Sequence, residues 1–177
     1  MRVIAGIARN RKLNTLDGED VRPTIERTKE AIFSAIQFEI EGTDVLDLFA
    51  GSGQLGIEAV SRGARSATFV DSSKQSIEVV RKNVASVGFD SRSKIVNAQA
   101  ETFVKTAAGK YHIAFLDPPY SRGILQSILP EVEKIMAPGG IIVCEHPYGE
   151  EMPESVGRFE NRRDYKYGKV AVTIYRD

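Results

Sequence analysis

The sequence predicts a doubly wound α/β fold, and three observations carry that reading. From residue 44 onward, short apolar runs alternate with amphipathic segments, the pattern of strands joined by right-handed helical crossovers. The runs are continuously hydrophobic, as strands covered on both faces of a parallel sheet are. The first of them leads into a glycine turn, Gly51-Ser52-Gly53, that opens a helix.

Strands are predicted at residues 44–49, 66–70, 94–96, 111–116 and 141–145, and helices at 55–61, 74–87, 100–107 and 124–136, the last ended by Pro138-Gly139-Gly140. After Pro153 the alternation stops. Residues 157–163 and 170–176 read as two strands around the turn Tyr167-Gly168-Lys169, so the mostly parallel sheet ends in an antiparallel hairpin. Ahead of the core, residues 2–7 and 11–16 read as short strands joined through Arg9-Asn10. A glycine- and acid-rich loop at 17–20 follows, and then a helix capped by Thr24 that buries Ile25, Ile32, Ala35 and Ile36. About forty residues seldom hold a core of their own. The 177 residues are therefore expected to form one domain over 1–177, with 1–40 as a strand/helix extension and 41–177 as the core.

Composition excludes several classes. No apolar run approaches a membrane span and the first residues do not resemble a secretory signal, so a cytoplasmic protein is expected. The single cysteine, Cys144, lies inside an apolar run and reads as a core thiol. With only two histidines, His112 and His146, no metal site is expected. The formal charge is zero, which argues against indiscriminate coating of nucleic acid. The charge is uneven, however: residues 1–12 carry four basic side chains and no acidic one, and residues 158–169 carry five basic against two acidic.

The chemistry concentrates at Asp117-Pro118-Pro119-Tyr120. Two prolines cannot pair inside a sheet, so the chain leaves it there. A carboxylate, a rigid carbonyl and an aromatic face are thus presented at a strand's carboxyl end, where open α/β sheets bind ligands. That set suits an exocyclic amine on a planar ring: Asp117 and the Pro118 carbonyl accept its two N–H groups, and Tyr120 stacks on the ring.

The second constellation is Asp47-Leu48-Phe49-Ala50-Gly51-Ser52-Gly53, a strand entering a glycine turn at a helix N-terminus. Taken alone, Gly51-x-Gly53-x-x-Gly56 matches a dinucleotide fingerprint, with Asp71, twenty residues after Gly51, placed to hold ribose hydroxyls. Asp47 shifts the balance. A carboxylate there would repel a pyrophosphate but could receive an ammonium group, directly or through water, which favours S-adenosylmethionine over a nicotinamide dinucleotide. Ser72 beside Asp71, and Gln99 with Ala100 after the third strand, complete the candidate cofactor contacts.

These motifs resemble those of the Rossmann-like methyltransferases: residues 47–53 the first, Asp71 the second, and Asp117 to Tyr120 the fourth of the amino-methyltransferases. Gln99 departs from the Asp or Asn usual near the adenine amine. With the flanks included (Arg2-Val3-Ile4-Ala5-Gly6, Arg9-x-Arg11-Lys12-Leu13, Arg22-Pro23-Thr24 with Arg27 and Lys29, Gly56-Ile57-Glu58-Ala59, Ser61-Arg62-Gly63-Ala64 and Lys166-Tyr167-Gly168) nearly the whole chain resembles the bacterial 16S rRNA guanine-N2 methyltransferase D family. Glu26 stands where that family commonly has Asp. The resemblance implies methyl transfer from S-adenosylmethionine to the 2-amino group of one guanine of 16S rRNA, in an assembled or assembling small ribosomal subunit.

The basic residues Arg9, Arg11, Lys12, Arg22 and Arg27 form the candidate RNA-binding strip, since the catalytic motif by itself cannot select a base within a ribosome. The run Arg162-Arg163-Asp164-Tyr165-Lys166-Tyr167 reads as a hairpin strand with alternating faces. Three alternatives stand beside the rRNA reading. They are an adenine- or cytosine-amino methyltransferase acting on RNA or DNA, a nicotinamide-dependent oxidoreductase, and a catalytically inactive RNA-binding assembly factor.

Overall fold

The computed structural model describes residues 1–16, 23–119 and 123–177. Arg22, Tyr120 and the loop 17–20 lie outside the described residues, as do the side chains at 23–25, Thr24 and Ile25 among them. The apolar runs become strands β1 (Asp44–Leu48), β2 (Ser66–Asp71), β3 (Ser93–Asn97), β4 (Tyr111–Leu116), β5 (Met136–Pro147) and, after β6 (Asn161–Tyr167), β7 (Val170–Arg176). The helices are α1 (Pro23–Ala35), α2 (Gln54–Ser61), α3 (Lys74–Val87), α4 (Ala100–Thr106) and α5 (Ile124–Lys134). One sheet results, in the order β3-β2-β1-β4-β5-β7-β6. It is parallel through β5 and antiparallel at β7 and β6.

Strand side chains alternate between two cores because the pleat has a period of two. Val45, Phe69, Ile113, Phe115, Val143 and Ile174 pack with residues of α1, α2 and α3 on one face. Leu46, Leu48, Val70, Leu116, Cys144 and Tyr175 pack with α4 and α5 on the other. Both faces are covered, which is why the runs read as continuously apolar. Cys144 is fully buried and its thiol pKa is pushed far up by desolvation, as suits a core residue. Buried His146 pairs with Thr173 Oγ1, and His112 Nδ1 accepts the Asp44 N–H, so both histidines hold strands together. Among the described residues, no helix is long and apolar enough to cross a membrane.

Four expectations are corrected. Residues 2–7 and 11–16 are not two strands but a docked strap with a single bridge, Arg2 to Lys12. Val3 and Leu13 donate across it to the Arg11 and Met1 carbonyls, but others turn to α2: Ile4 and Ala5 donate to the two oxygens of Glu58, Ile7 to the Ser61 carbonyl, and Ala8 to Ser61 Oγ. Next, α1 begins at Pro23, ahead of the expected cap at Thr24; proline suits a first helical position because its missing N–H would be unpaired there anyway. The last helix stops at Lys134 instead of 136, since Met136 pairs with Tyr111 and draws Pro138-Gly139-Gly140 into a longer β5 interrupted by a register shift. Finally, β6 begins at Asn161, not 157. The tight turn pairs Tyr167 with Val170 and thereby sets the register, while residues 156–159 close a separate small turn through Val156 and Phe159.

Candidate active site

The sheet order runs outward to β2 and β3 on one side of β1 and to β5 on the other side of β4, so the β1–β4 boundary is the topological switch point, where such sheets bind ligands. Leu48 and Leu116 are register partners at the ends of these strands. The glycine turn and the Asp117-Pro118-Pro119 segment therefore leave the sheet side by side.

The turn is held from β2. Phe49 and Ala50 both donate to the Val70 carbonyl, at 3.0 and 2.9 Å. Gly51 N–H donates to Asp71 Oδ2 at 2.9 Å, and Asp71 Oδ1 accepts Ser73 N–H at 2.8 Å. Phe49 adopts φ +71°, a left-handed conformation that a bulky residue takes only under local constraint. The third glycine serves packing: a Cβ on Gly56 would meet the Phe69 ring at 2.4 Å, so only glycine lets α2 lie this close to β2.

These ends enclose an open groove of about 540 Å³. Phe49, Gly51, Asp71, Ser72, Gln99, Ala100, Asp117, Pro118 and Pro119 line it, so both motifs face one space. Ala50, Ser52 and Gly53 do not line it; they are buried and shape the turn, with the Ser52 carbonyl accepting from Asn83 Nδ2 and Gly53 N–H donating to Ala50. Sequence reasoning missed Leu16, Ala98, Glu101 and Ile124, which also line the groove. Leu16 arrives there because Asn14 is clamped to Asn83 of α3 through its backbone and side chain, a contact between residues far apart in sequence.

Asp47 is not among the residues that line the groove. It is buried beneath the turn, and its Oδ2 accepts Gly56 N–H at 2.8 Å, capping an otherwise unpaired donor in the first turn of α2. Burial raises its carboxyl pKa from 3.8 to about 7; the Gly56 hydrogen bond opposes the rise and the charge of Asp71 adds to it. The folded protein thus holds an extra proton between about pH 4 and pH 7. Stability from this group is present at the acid end of that window and lost as pH rises through about 7. Asp47→Asn, neutral and still able to accept from Gly56, is expected to stabilise the fold at pH 8 and change it little near pH 4. The displacement from 3.8 to about 7, at ~1.4 kcal/mol per pH unit, bounds the gain at ~4 kcal/mol. Thermal denaturation of both proteins at the two pH values checks this, and a loss of stability at pH 8 would contradict it.

Of the basic strip's described residues, Arg9 and Arg11 are not brought to the groove. Residues 7 and 8 bond to Ser61 at the last turn of α2, and the Arg11 guanidinium donates to the Ser86 carbonyl near the end of α3. Both helices start at the groove and end at the opposite edge of the sheet, which places Arg9 and Arg11 there as well. Lys12 is exposed beside Arg2, and Arg27 is exposed on α1. Lys29, by contrast, is buried against Glu58.

A second, small pocket adjoins the groove at the ends of β4 and β5, sharing Pro118 and Pro119 and adding Glu145, Pro147 and Glu150. Burial pushes the Glu145 carboxyl pKa up to about 7. Among the described residues, no group of three or more His, Cys, Asp or Glu could hold a metal ion.

Comparison with known proteins agrees with this architecture. YlbH of Bacillus subtilis (strain 168), provisionally named an rRNA methyltransferase, is 37% identical over 181 residues, covering 99% of this chain and 98% of YlbH. Ribosomal RNA small subunit methyltransferase D of Escherichia coli (strain K12) is 32% identical, with 99% of this chain and 89% of the relative covered. The solved structure of yhhF from Escherichia coli, provisionally named a methyltransferase, superposes with a TM-score of 0.89 at 32% identity, covering 99% and 97% of the two chains. At the level of fold alone, the 16S rRNA N2 G1207 methyltransferase (RsmC) of T. thermophilus, solved with AdoMet and guanosine, superposes with a TM-score of 0.75 at 18% identity over 92% of this chain and 45% of that one. The profile of the family described as conserved hypothetical protein 95 matches residues 1–176. On that full-length match, the chain belongs to this family, the family of ribosomal RNA small subunit methyltransferase D.

Proposed function

We propose that this protein transfers a methyl group from S-adenosylmethionine to the exocyclic N2 amine of a guanine in 16S rRNA, within an assembled or assembling small ribosomal subunit. The observation that carries the reading is the shared groove, into which the glycine turn and Asp117-Pro118-Pro119 open side by side. The names of the full-length relatives support RNA of the small subunit as substrate.

The groove fits the cofactor. Its volume of about 540 Å³ lies within the ~300–1,000 Å³ typical of small-molecule sites. Each Asp71 oxygen accepts one backbone N–H and keeps a lone-pair direction for a ribose hydroxyl. Phe49, Ala100 and Ile124 supply apolar wall, Gln99 and Ser72 supply polar edges, and Gly51 leaves the backbone accessible. Bound there, S-adenosylmethionine supplies an electrophilic methyl group on a sulfonium, a good leaving group.

The chain's own residues act on the acceptor. An aromatic amine is a poor nucleophile because its lone pair is delocalised into the ring. Asp117 and the Pro118 carbonyl, accepting its two N–H bonds, favour a pyramidal nitrogen with the lone pair turned toward the groove. The Asp117 carboxylate stabilises the positive charge that develops on nitrogen, and the excess proton is then lost to water. Positioning supplies most of the remaining acceleration.

The test is radiolabelled methyl transfer to small subunits and to free rRNA from cells lacking the enzyme, followed by nucleoside analysis. N2-methylguanosine in 16S rRNA is the expected product. Methyladenosine, methylcytosine or no incorporation into either substrate would overturn the reading.

A further inference from the structure

Arg9 and Arg11 stand at the sheet edge opposite the groove, and an RNA whose target base enters the groove also meets the groove's own edge. That edge continues past β5. Pro147 at the end of β5, Val170 of β7 and Tyr167 of β6 are register partners in one row, and Tyr148 N–H donates to the Lys169 carbonyl at 2.9 Å. The β6–β7 turn therefore stands on the same edge of the sheet as Asp117. The small pocket walled by Pro118, Pro119 and Pro147 joins the two.

At this tip the side chains are of one kind. Tyr148 is 58% exposed, one of three large apolar or aromatic side chains that stand out into solvent among the described residues. Lys166 Nζ lies 3.6 Å from its ring centroid, which fixes the ring and adds positive charge beside it. Lys166 and Lys169 are both exposed. Neighbouring acids are turned to internal partners: Glu150 accepts from Gln126 of α5, and Asp164 accepts from Arg162 and Thr173. Glu151 lies on the α5 side, where its carbonyl is held by Gln126. An exposed aromatic face flanked by two lysines is the arrangement that binds single-stranded nucleic acid, the ring stacking on a base and the ammonium groups meeting phosphates.

Building on the RNA substrate proposed above, we propose that Tyr148, Lys166 and Lys169 form an RNA-binding surface for an unpaired stretch next to the target nucleotide. Tyr148 stacks on a neighbouring base, and the two lysines hold the adjoining phosphates. None of the three takes part in methyl transfer.

The test uses small subunits lacking the modification as substrate and compares wild type with Tyr148→Ala, Tyr148→Phe, Lys166→Ala/Lys169→Ala, and Arg9→Ala/Arg11→Ala/Lys12→Ala. Tyr148→Ala is expected to raise KM for subunits about tenfold with kcat, melting temperature and S-adenosylmethionine affinity unchanged, and Tyr148→Phe is expected to behave as wild type. The double lysine variant is expected to flatten the logarithmic salt dependence of binding to an rRNA fragment by ~1.4, two single-strand phosphate contacts. An unchanged KM and slope in the Tyr148→Ala and double lysine variants overturns the surface, as does a rise in KM confined to the Arg9/Arg11/Lys12 variant. If wild type methylates nothing, the proposed function fails on its own, and the fragment-binding series still decides the surface by the same slopes.

Discussion

Asp117→Ala is expected to lower turnover by about 10²–10³, the size of effect seen when one preorganised transition-state hydrogen bond is removed, while the dissociation constant for S-adenosylmethionine stays close to wild type. Asp117 is one of about sixteen residues around the groove, so deleting it costs little cofactor contact. Its effect falls on the amine, where the carboxylate meets charge that appears only as the bond forms. Asp117→Asn is expected to resemble Ala, because the amide offers one acceptor oxygen and no negative charge, and its NH₂ is a second donor facing a donor. Single-turnover kinetics with saturating cofactor and small subunits, alongside calorimetric titration of S-adenosylmethionine, separates the two effects. Near-normal rates in both variants would remove Asp117 from the mechanism.

The largest effect on the fold is expected from Glu58→Ala. The Glu58 side chain is fully buried in α2, accepts Ile4 N–H at 2.8 Å and Ala5 N–H at 2.9 Å, and pairs with Arg62 at 2.8 Å and Lys29 at 3.6 Å. Lys29 is itself buried, donates to the Arg2 carbonyl at 2.7 Å, and has its pKa lowered by desolvation against the opposing pull of Glu58. Removing one partner of a buried ion pair leaves an uncompensated charge and costs about 3–5 kcal/mol. Here two backbone donors are stranded as well. The strap is expected to undock, with amides 4 and 5 losing hydrogen-exchange protection. Since the same strap carries Leu16 to the groove, cofactor affinity falls with it. Combining Glu58→Leu with Lys29→Met, which removes both charges, is expected to recover part of the stability. A loss below about 1 kcal/mol in denaturant melts of Glu58→Ala would show that the cluster is solvated in solution.

Much of the site was legible without coordinates. The glycine turn, Asp71, Gln99 and Asp117-Pro118-Pro119 are marked by local chemistry, since glycines, prolines and polar residues at the ends of apolar runs have few other reasons to occur there. Two placements are not encoded locally. The spacing of Asp47 from Gly51 does not say what its carboxyl is packed against. The pleat turns it toward α2, where Gly56 N–H receives it. Charge groups Arg9 and Arg11, but only the length of α2 and α3 decides that they stand at the edge away from the groove.

The sequence by itself determined the succession of strands and helices along the chain and the parallel core with its terminal hairpin. Hydrophobic period and turn residues encode these locally. Only the tertiary structure decided what each buried group is buried against. Glu58 meets Ile4 across 54 positions and Asn83 meets Asn14 across 69, while Lys166 comes to lie over Tyr148 only through the pairing of β7 with β5 and β6. A periodic pattern reports that a side chain leaves water but not its partner, because partners are chosen by packing between elements far apart in the chain.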